Sequence, residues 1–243
     1  MIKRNSIVLP MLLAWGVIFL TAVSQAEGGL SLSQTRVVFD GKAKSAKVTL
    51  NNQSDRVYLV NSRVLATPDG SAKQTEALPF IVTPPLFRLE KQSRNTILIS
   101  RNDTSVLPAG RESIFYLSFL AIPSVKKNGE AEDGMTTQVS FGIRTVIKLF
   151  YRPSGLEMPV SAAPEKLTFV QQGSQLKVTN PTPYYLTLAQ LQLDGQPVNV
   201  REQGAMISPF SSQSYQVKGP ANEINWSVIN DYGGLSETFH WTR

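Results

Sequence analysis

The 243-residue chain contains no cysteine. Disulfide staples, thiolate metal sites and thiol nucleophiles are therefore excluded, and an exported protein of this composition must be stable through its core alone. Histidine is almost as scarce: the single one, His240, lies close to the C-terminus. Ser–His–Asp and Cys–His arrangements have little to build from. No Gly-x-Ser-x-Gly elbow, phosphate-binding loop or His/Cys metal spacing is present. The acidic stretch Glu130-Ala131-Glu132-Asp133 lacks the spaced ligands of a calcium loop and reads as a solvated loop. No enzymatic activity, cofactor or metal is expected. The chain carries a formal charge of +6, but its longest basic run is only Lys126-Lys127. A nucleic-acid binder concentrates its charge on one face or in a run, so no nucleic-acid partner is expected.

Long apolar runs are also missing, except at the start. Lys3 and Arg4 precede an apolar stretch from Ile7 to Val23, followed by Ser24-Gln25-Ala26. That is the plan of a secretory signal peptide occupying residues 1–26. The alternative is an uncleaved anchor, for which a run interrupted by Pro10 and Gly16 is at the short limit. No later stretch could span a bilayer, so no membrane insertion is expected after cleavage. Removal of residues 1–26 leaves 217 of the 243, enough for one large or two ordinary domains, each with its own core.

What the chain does have is strand after strand. Strands are predicted over 35–39, 46–51, 56–66, 95–101, 112–121 and 137–151, and then over 166–170, 175–179, 184–192, 212–217, 224–229 and 235–241. Turn signals punctuate them, among them Asp40-Gly41, Pro68-Asp69-Gly70, Asn128-Gly129, Asp194-Gly195 and Gly233-Gly234. No segment has a capped 3.6-residue apolar period. An all-β architecture of sandwich type follows. The character shifts at Arg152-Pro153-Ser154-Gly155, which places a boundary between a domain at 27–153 and another at 154–243.

The stretch VSFGIRTVIKLFYRP, residues 139–153, changes character halfway. Val139, Phe141 and Ile143 alternate with small or polar residues. An almost unbroken apolar run then follows, with Lys148 inside it. Alternation alone is compatible with these three side chains facing the domain's own core. Lys148 by itself reads as a charge that discourages edge-to-edge aggregation.

Four stretches read together resemble the periplasmic pilus (fimbrial) chaperone family: LPAGRESIFYLSFLAIP (107–123), IKLFYRP (147–153), NPTPYY (180–185) and INDYGG (229–234). Thr-Arg-Val-Val-Phe-Asp-Gly (35–41) and Thr83-Pro84-Pro85 add to the match, in the family's order and over almost the whole chain beyond residue 26. Gly110 and Ser118 depart from the family's usual polar acid or amide and asparagine. The resemblance implies two immunoglobulin-like β-sandwich domains set in an L. It implies a periplasmic chaperone of the chaperone–usher pathway that binds pilus subunits by donor-strand complementation. Delivery to an outer-membrane usher would follow, without ATP. It also assigns residues. Arg36 and Lys148 would hold the subunit's terminal carboxylate, and Val139, Phe141 and Ile143 would fill the subunit's groove. Glu112, Arg152 and Asp231 would form an ionic cluster between the domains; without the resemblance they read as unrelated surface charges. A strand left exposed for a partner also invites self-association of the free form. Thr83-Pro84-Pro85 is a candidate for a cis X-Pro bond.

Overall fold

The computed structural model describes residues 29–72, 77–124 and 141–243. The signal-peptide reading, the acidic stretch at 130–133, Lys126-Lys127 and Val139 lie outside the described residues. The first half contributes β1 (Leu30–Leu32), β2 (Arg36–Asp40), β3 (Ser45–Asn52), β4 (Tyr58–Leu65), β5 (Phe80–Thr83), β6 (Leu86–Leu89), β7 (Ser93–Arg101), β8 (Ser113–Pro123) and β9 (Ile143–Arg152). They form two facing sheets, ordered β1-β3-β7-β5 and β2-β9-β8-β4-β6. The second half contributes β10 (Thr168–Gln172), β11 (Gln175–Asn180), β12 (Leu186–Leu193), β13 (Gln196–Pro197), β14 (Met206–Ile207), β15 (Ser211–Gln216), β16 (Glu223–Val228) and β17 (Phe239–Thr242). Its sheets run β10-β11-β15 and β13-β12-β16-β17, with β14 paired to β12.

Each pair of sheets closes over its own apolar core, as alternating strands require. Phe39, Val60, Ile97, Ile99, Leu117 and Leu149 are fully buried in the first, where Phe80 packs between Phe39 and Phe115 with ring centroids 5.1 and 5.2 Å away. Leu176, Val178, Leu188, Leu191 and Tyr215 are buried in the second, around Trp226, whose ring lies tilted with its centre 4.6 Å from that of Phe169 and whose indole N–H donates to the Pro164 carbonyl at 3.0 Å. The two clusters share no residue.

Several boundaries differ from those the sequence predicts. Strands β5 and β6 are not predicted from the sequence, because Pro84 and Pro85 separate them and proline argues against a strand. Here the chain uses those prolines to change sheets: β5 pairs with β7, β6 pairs with β4, and the Thr83–Pro84 peptide is cis. The strand expected from Lys166 begins at Thr168, because Pro164–Lys166 closes a 3-10 turn. A four-residue helix, α1 (Val200–Gln203), is too short to show a period in the sequence; the Asn199 side chain caps it by accepting from the Glu202 N–H at 3.3 Å. The strand expected from Thr137 begins, among the described residues, at Ile143. Its partner β8 ends at Pro123, and Ala121 opposite Ile143 is the last rung. At one departure from the family pattern, Ser118 accepts a hydrogen bond from Arg144 Nε at 2.9 Å.

Candidate functional site

The apolar run in β9 resolves into two faces. Ile147, Leu149 and Tyr151 enter the first core. Lys148, Phe150 and Arg152, on the alternate face, meet the second domain: Lys148 bonds Thr187, the Phe150 ring lies 5.7 Å from Tyr185, and Arg152 bonds Asp231. A strand buried on both faces reads as continuous hydrophobicity, and this one is buried by two different domains.

Strand β2 runs parallel to β9 and begins with Arg36 opposite Lys148. Residues 143–147 extend past that start and, among the described residues, pair only with β8. Among the described residues nothing pairs with their other backbone edge. Phe141 is 79 % and Ile143 51 % exposed, so neither side chain enters this chain's own core. That edge and its apolar side chains lead directly into the Arg36–Lys148 pair.

These two cations have no anionic hydrogen-bond partner among the described residues. Arg36 is buried, donates Nη1 to the Ile229 carbonyl at 3.3 Å, and leaves Nε buried without a partner. Its guanidinium also lies 5.9 Å from the centre of the Phe150 ring. Lys148 Nζ donates to Thr187 Oγ1 at 3.5 Å. Burial, and then the neighbouring Arg36 charge, push the Lys148 ammonium below the usual lysine range. Burial also lowers the Arg36 guanidinium, against the charge of Asp231. Two desolvated like charges side by side are unfavourable unless an anion joins them.

An ionic cluster lies beside them. Arg152 donates Nε to Glu112 Oε1 at 2.7 Å and both terminal nitrogens to Asp231, at 2.7 and 2.8 Å. Its guanidinium also sits 5.1 Å from the Tyr184 ring centre. Glu112 is 3 % exposed and takes the Tyr185 backbone N–H on its other oxygen at 2.8 Å. Burial pushes the Glu112 carboxyl above the usual range, although Arg152 and that N–H pull the other way. For Arg152 burial is outweighed by the Asp231 hydrogen bonds and the Glu112 charge, which hold the guanidinium protonated. Residues of both domains meet in this cluster, and a cleft of about 320 Å³ lined by Arg36, Phe150, Arg152, Tyr185, Asp231 and Tyr232 opens over it.

Thr187, the Ile229 carbonyl and the Tyr185 N–H were not singled out from the sequence. The NPTPYY and INDYGG stretches contain Tyr185 and Ile229, and Thr187 lies two residues beyond the first, so the motifs point to the region without giving these groups a role. Among the described residues no cluster of acidic or imidazole side chains could hold a metal, and no helix is long and apolar enough to cross a membrane.

Known proteins share both the sequence and the fold. Residues 29–157 match the family described as pili and flagellar-assembly chaperone, PapD N-terminal domain, and residues 162–240 match the pili assembly chaperone PapD, C-terminal domain. The probable fimbrial chaperone LpfB of Escherichia coli O157:H7 is 36 % identical over 214 residues, spanning 86 % of this chain and 87 % of its own. The structure of the Salmonella enterica SafA pilin in complex with the SafB chaperone superposes with a TM-score of 0.74 at 31 % identity, covering 88 % of this chain and 96 % of that one. The Escherichia coli chaperone DraB gives the same TM-score at 35 % identity, with 88 % and 95 % covered. This chain, with its two immunoglobulin-like sandwiches, belongs to the PapD-type pilus chaperone family of the chaperone–usher pathway.

Proposed function

We propose that this protein is a periplasmic chaperone that captures pilus subunits by lending them a strand and passes them to an outer-membrane usher, without ATP and without catalysis. Cleavage after Ala26 would release domains at 27–153 and 154–243. The observation that carries the reading is the β9 edge, unpaired among the described residues, flanked by exposed Phe141 and Ile143 and ending at two cations that have no anionic hydrogen-bond partner among those residues. A subunit that lacks one strand exposes an apolar groove and unpaired backbone. Strand addition satisfies both at once, and complexes of chaperones with pilins are an established example of this mode. Backbone groups over 137–147 would join the subunit's edge while Val139, Phe141 and Ile143 fill its groove. Each such side chain contributes roughly 1.5–3 kcal/mol when fully buried. The subunit's terminal carboxylate would lie between Arg36 and Lys148 and fix the register, because a one-residue slip would turn every groove-filling side chain the wrong way. The SafB chaperone, similar in sequence and fold, is described in complex with a pilin, and the related SfaE is described as periplasmic.

Co-expression in the periplasm with a candidate subunit tests this. The subunit is expected to survive and co-purify with the protein, and to be degraded without it. In the same assay Phe141→Ser is expected to weaken capture by about tenfold or more, the equivalent of one lost apolar contact. The free protein should keep its stability within about 0.5 kcal/mol, as for other exposed positions. A clear drop in the melting temperature of free Phe141→Ser would place that ring in the chaperone's own core and remove the groove-filling role.

A further inference from the structure

The two anchor cations stand on one domain, and the groups that orient them stand on the other. Arg36 and Lys148 are neighbours across the β2–β9 ladder. Thr187 and Ile229 are neighbours in the second domain, joined by the Ile229 N–H donating to the Thr187 carbonyl at 2.9 Å. A pair of cations therefore meets a pair of acceptors, Lys148 on the Thr187 hydroxyl and Arg36 on the Ile229 carbonyl. Both acceptors are uncharged. Thr187 is 5 % exposed and set in β12. The turn that follows Ile229 approaches β2 so closely that a side chain at Gly233 would collide with Thr35, the residue before Arg36.

We propose that Thr187 is a positioning residue for the carboxylate anchor, holding the Lys148 ammonium in place from across the domain boundary. This rests on the capture reading above. An ammonium has three N–H donors, and the Thr187 contact occupies one, which leaves two for an incoming carboxylate. The neutrality of the acceptor matters as much as its position. A carboxylate at 187 would orient Lys148 equally well, but it would cancel the charge that draws the subunit's terminus. A hydroxyl orients without neutralising. Selectivity for a chain end over an internal peptide segment is thus a property of both domains, although both cations come from the first.

The test uses the full chain and a synthetic peptide copying the C-terminal segment of a candidate subunit, made with a free carboxylate or as the C-terminal amide. The readout is the ratio of the two affinities, which a purely structural role would leave unchanged. Thr187→Val, close to the native shape but without the acceptor, is expected to lower that ratio about 3- to 10-fold with the amide affinity unaltered. Thr187→Ser should restore most of it. If Thr187→Val does not fold, Thr187→Ala carries the same comparison. A wild-type ratio in Thr187→Val or Thr187→Ala, alongside a ratio that collapses in Lys148→Ala, overturns the positioning role and leaves the anchor standing. A ratio unchanged even in Lys148→Ala removes the anchor itself, and this proposal with it.

Discussion

Replacing Lys148 with methionine is expected to abolish subunit capture and, in the same protein, to raise the melting temperature of the free chaperone. The two effects have one cause. Lys148 is partly desolvated and faces Arg36, a like charge opposite it on the parallel ladder. Its folded-state pKa is depressed. A base shifted this way disfavours the fold at any pH where the ammonium is charged, and the penalty fades only as pH rises through the depressed value toward the ordinary 10.5. Methionine keeps the stem and removes the charge, so at neutral pH the free protein should melt higher, by roughly 2 °C or more for a chain of this size. A carboxylate held there, as proposed, would relieve the same penalty in the working protein. Without the ammonium, the proposed carboxylate ligand would lose one of its two charged partners, at a cost of about 2–5 kcal/mol, which is about 30-fold to more than 1,000-fold in affinity. Thermal melting and co-purification on one preparation decide the matter. A lysine serving only the fold would make both numbers fall; retained capture would end its role as an anchor. Arg36→Met should lose capture equally but stabilise less, because Arg36 also bonds the Ile229 carbonyl and lies near the Phe150 ring.

How much of this could be read from the chain differs from element to element. The strand pattern is visible wherever one face is buried, as in β4, where residues alternate in and out along its whole length. It fails where burial has two sources. Phe150 looks like core in the sequence, yet its neighbour is Tyr185 of the other domain, and no local pattern distinguishes the two environments. Strands β5 and β6 are hidden by the prolines that let the chain change sheets. The site divides in the same way. Lys148 stood out as a charge in an apolar run, but its neighbour Arg36 lies far away in sequence and is brought close only by the β2–β9 pairing. Arg36 acquired a role only through the resemblance to a known family. Thr187 and the Ile229 carbonyl carried no signal: a threonine in a strand is ordinary, and a backbone carbonyl leaves no mark on sequence. Their importance arises from what faces them.

Arg152→Ala is expected to produce the largest loss of stability of any single change at this site. The guanidinium closes three hydrogen bonds with two carboxylates, one of which, on Glu112, is almost wholly inaccessible to water. Without it Glu112 retains, among the described residues, only the Tyr185 N–H, and burial already pushes that carboxyl upward with Arg152 present. Leaving one buried charge uncompensated costs about 3–5 kcal/mol. The loss should appear in chemical denaturation at neutral pH and shrink as pH falls and Glu112 takes up a proton, since the neutral acid no longer needs the cation. If Arg152→Ala stays within about 1 kcal/mol of the native chain, the three residues are a solvated surface set after all. Stability is not the whole of what the cluster contributes, because apolar replacements of similar volume often match a buried ion pair in stability. The sharper expectation concerns a triple replacement, Glu112→Leu, Arg152→Met and Asp231→Leu. It should recover much of the lost stability but not subunit capture. The bidentate Arg152–Asp231 pair fixes direction, and apolar contacts do not. Asp231 also immediately follows Asn230, next to the Ile229 carbonyl that receives Arg36. If the cluster sets the angle between the domains, as the triple replacement tests, it also sets where Thr187 and Ile229 stand against the two cations, and a chaperone stabilised at the wrong angle would keep its fold while losing capture.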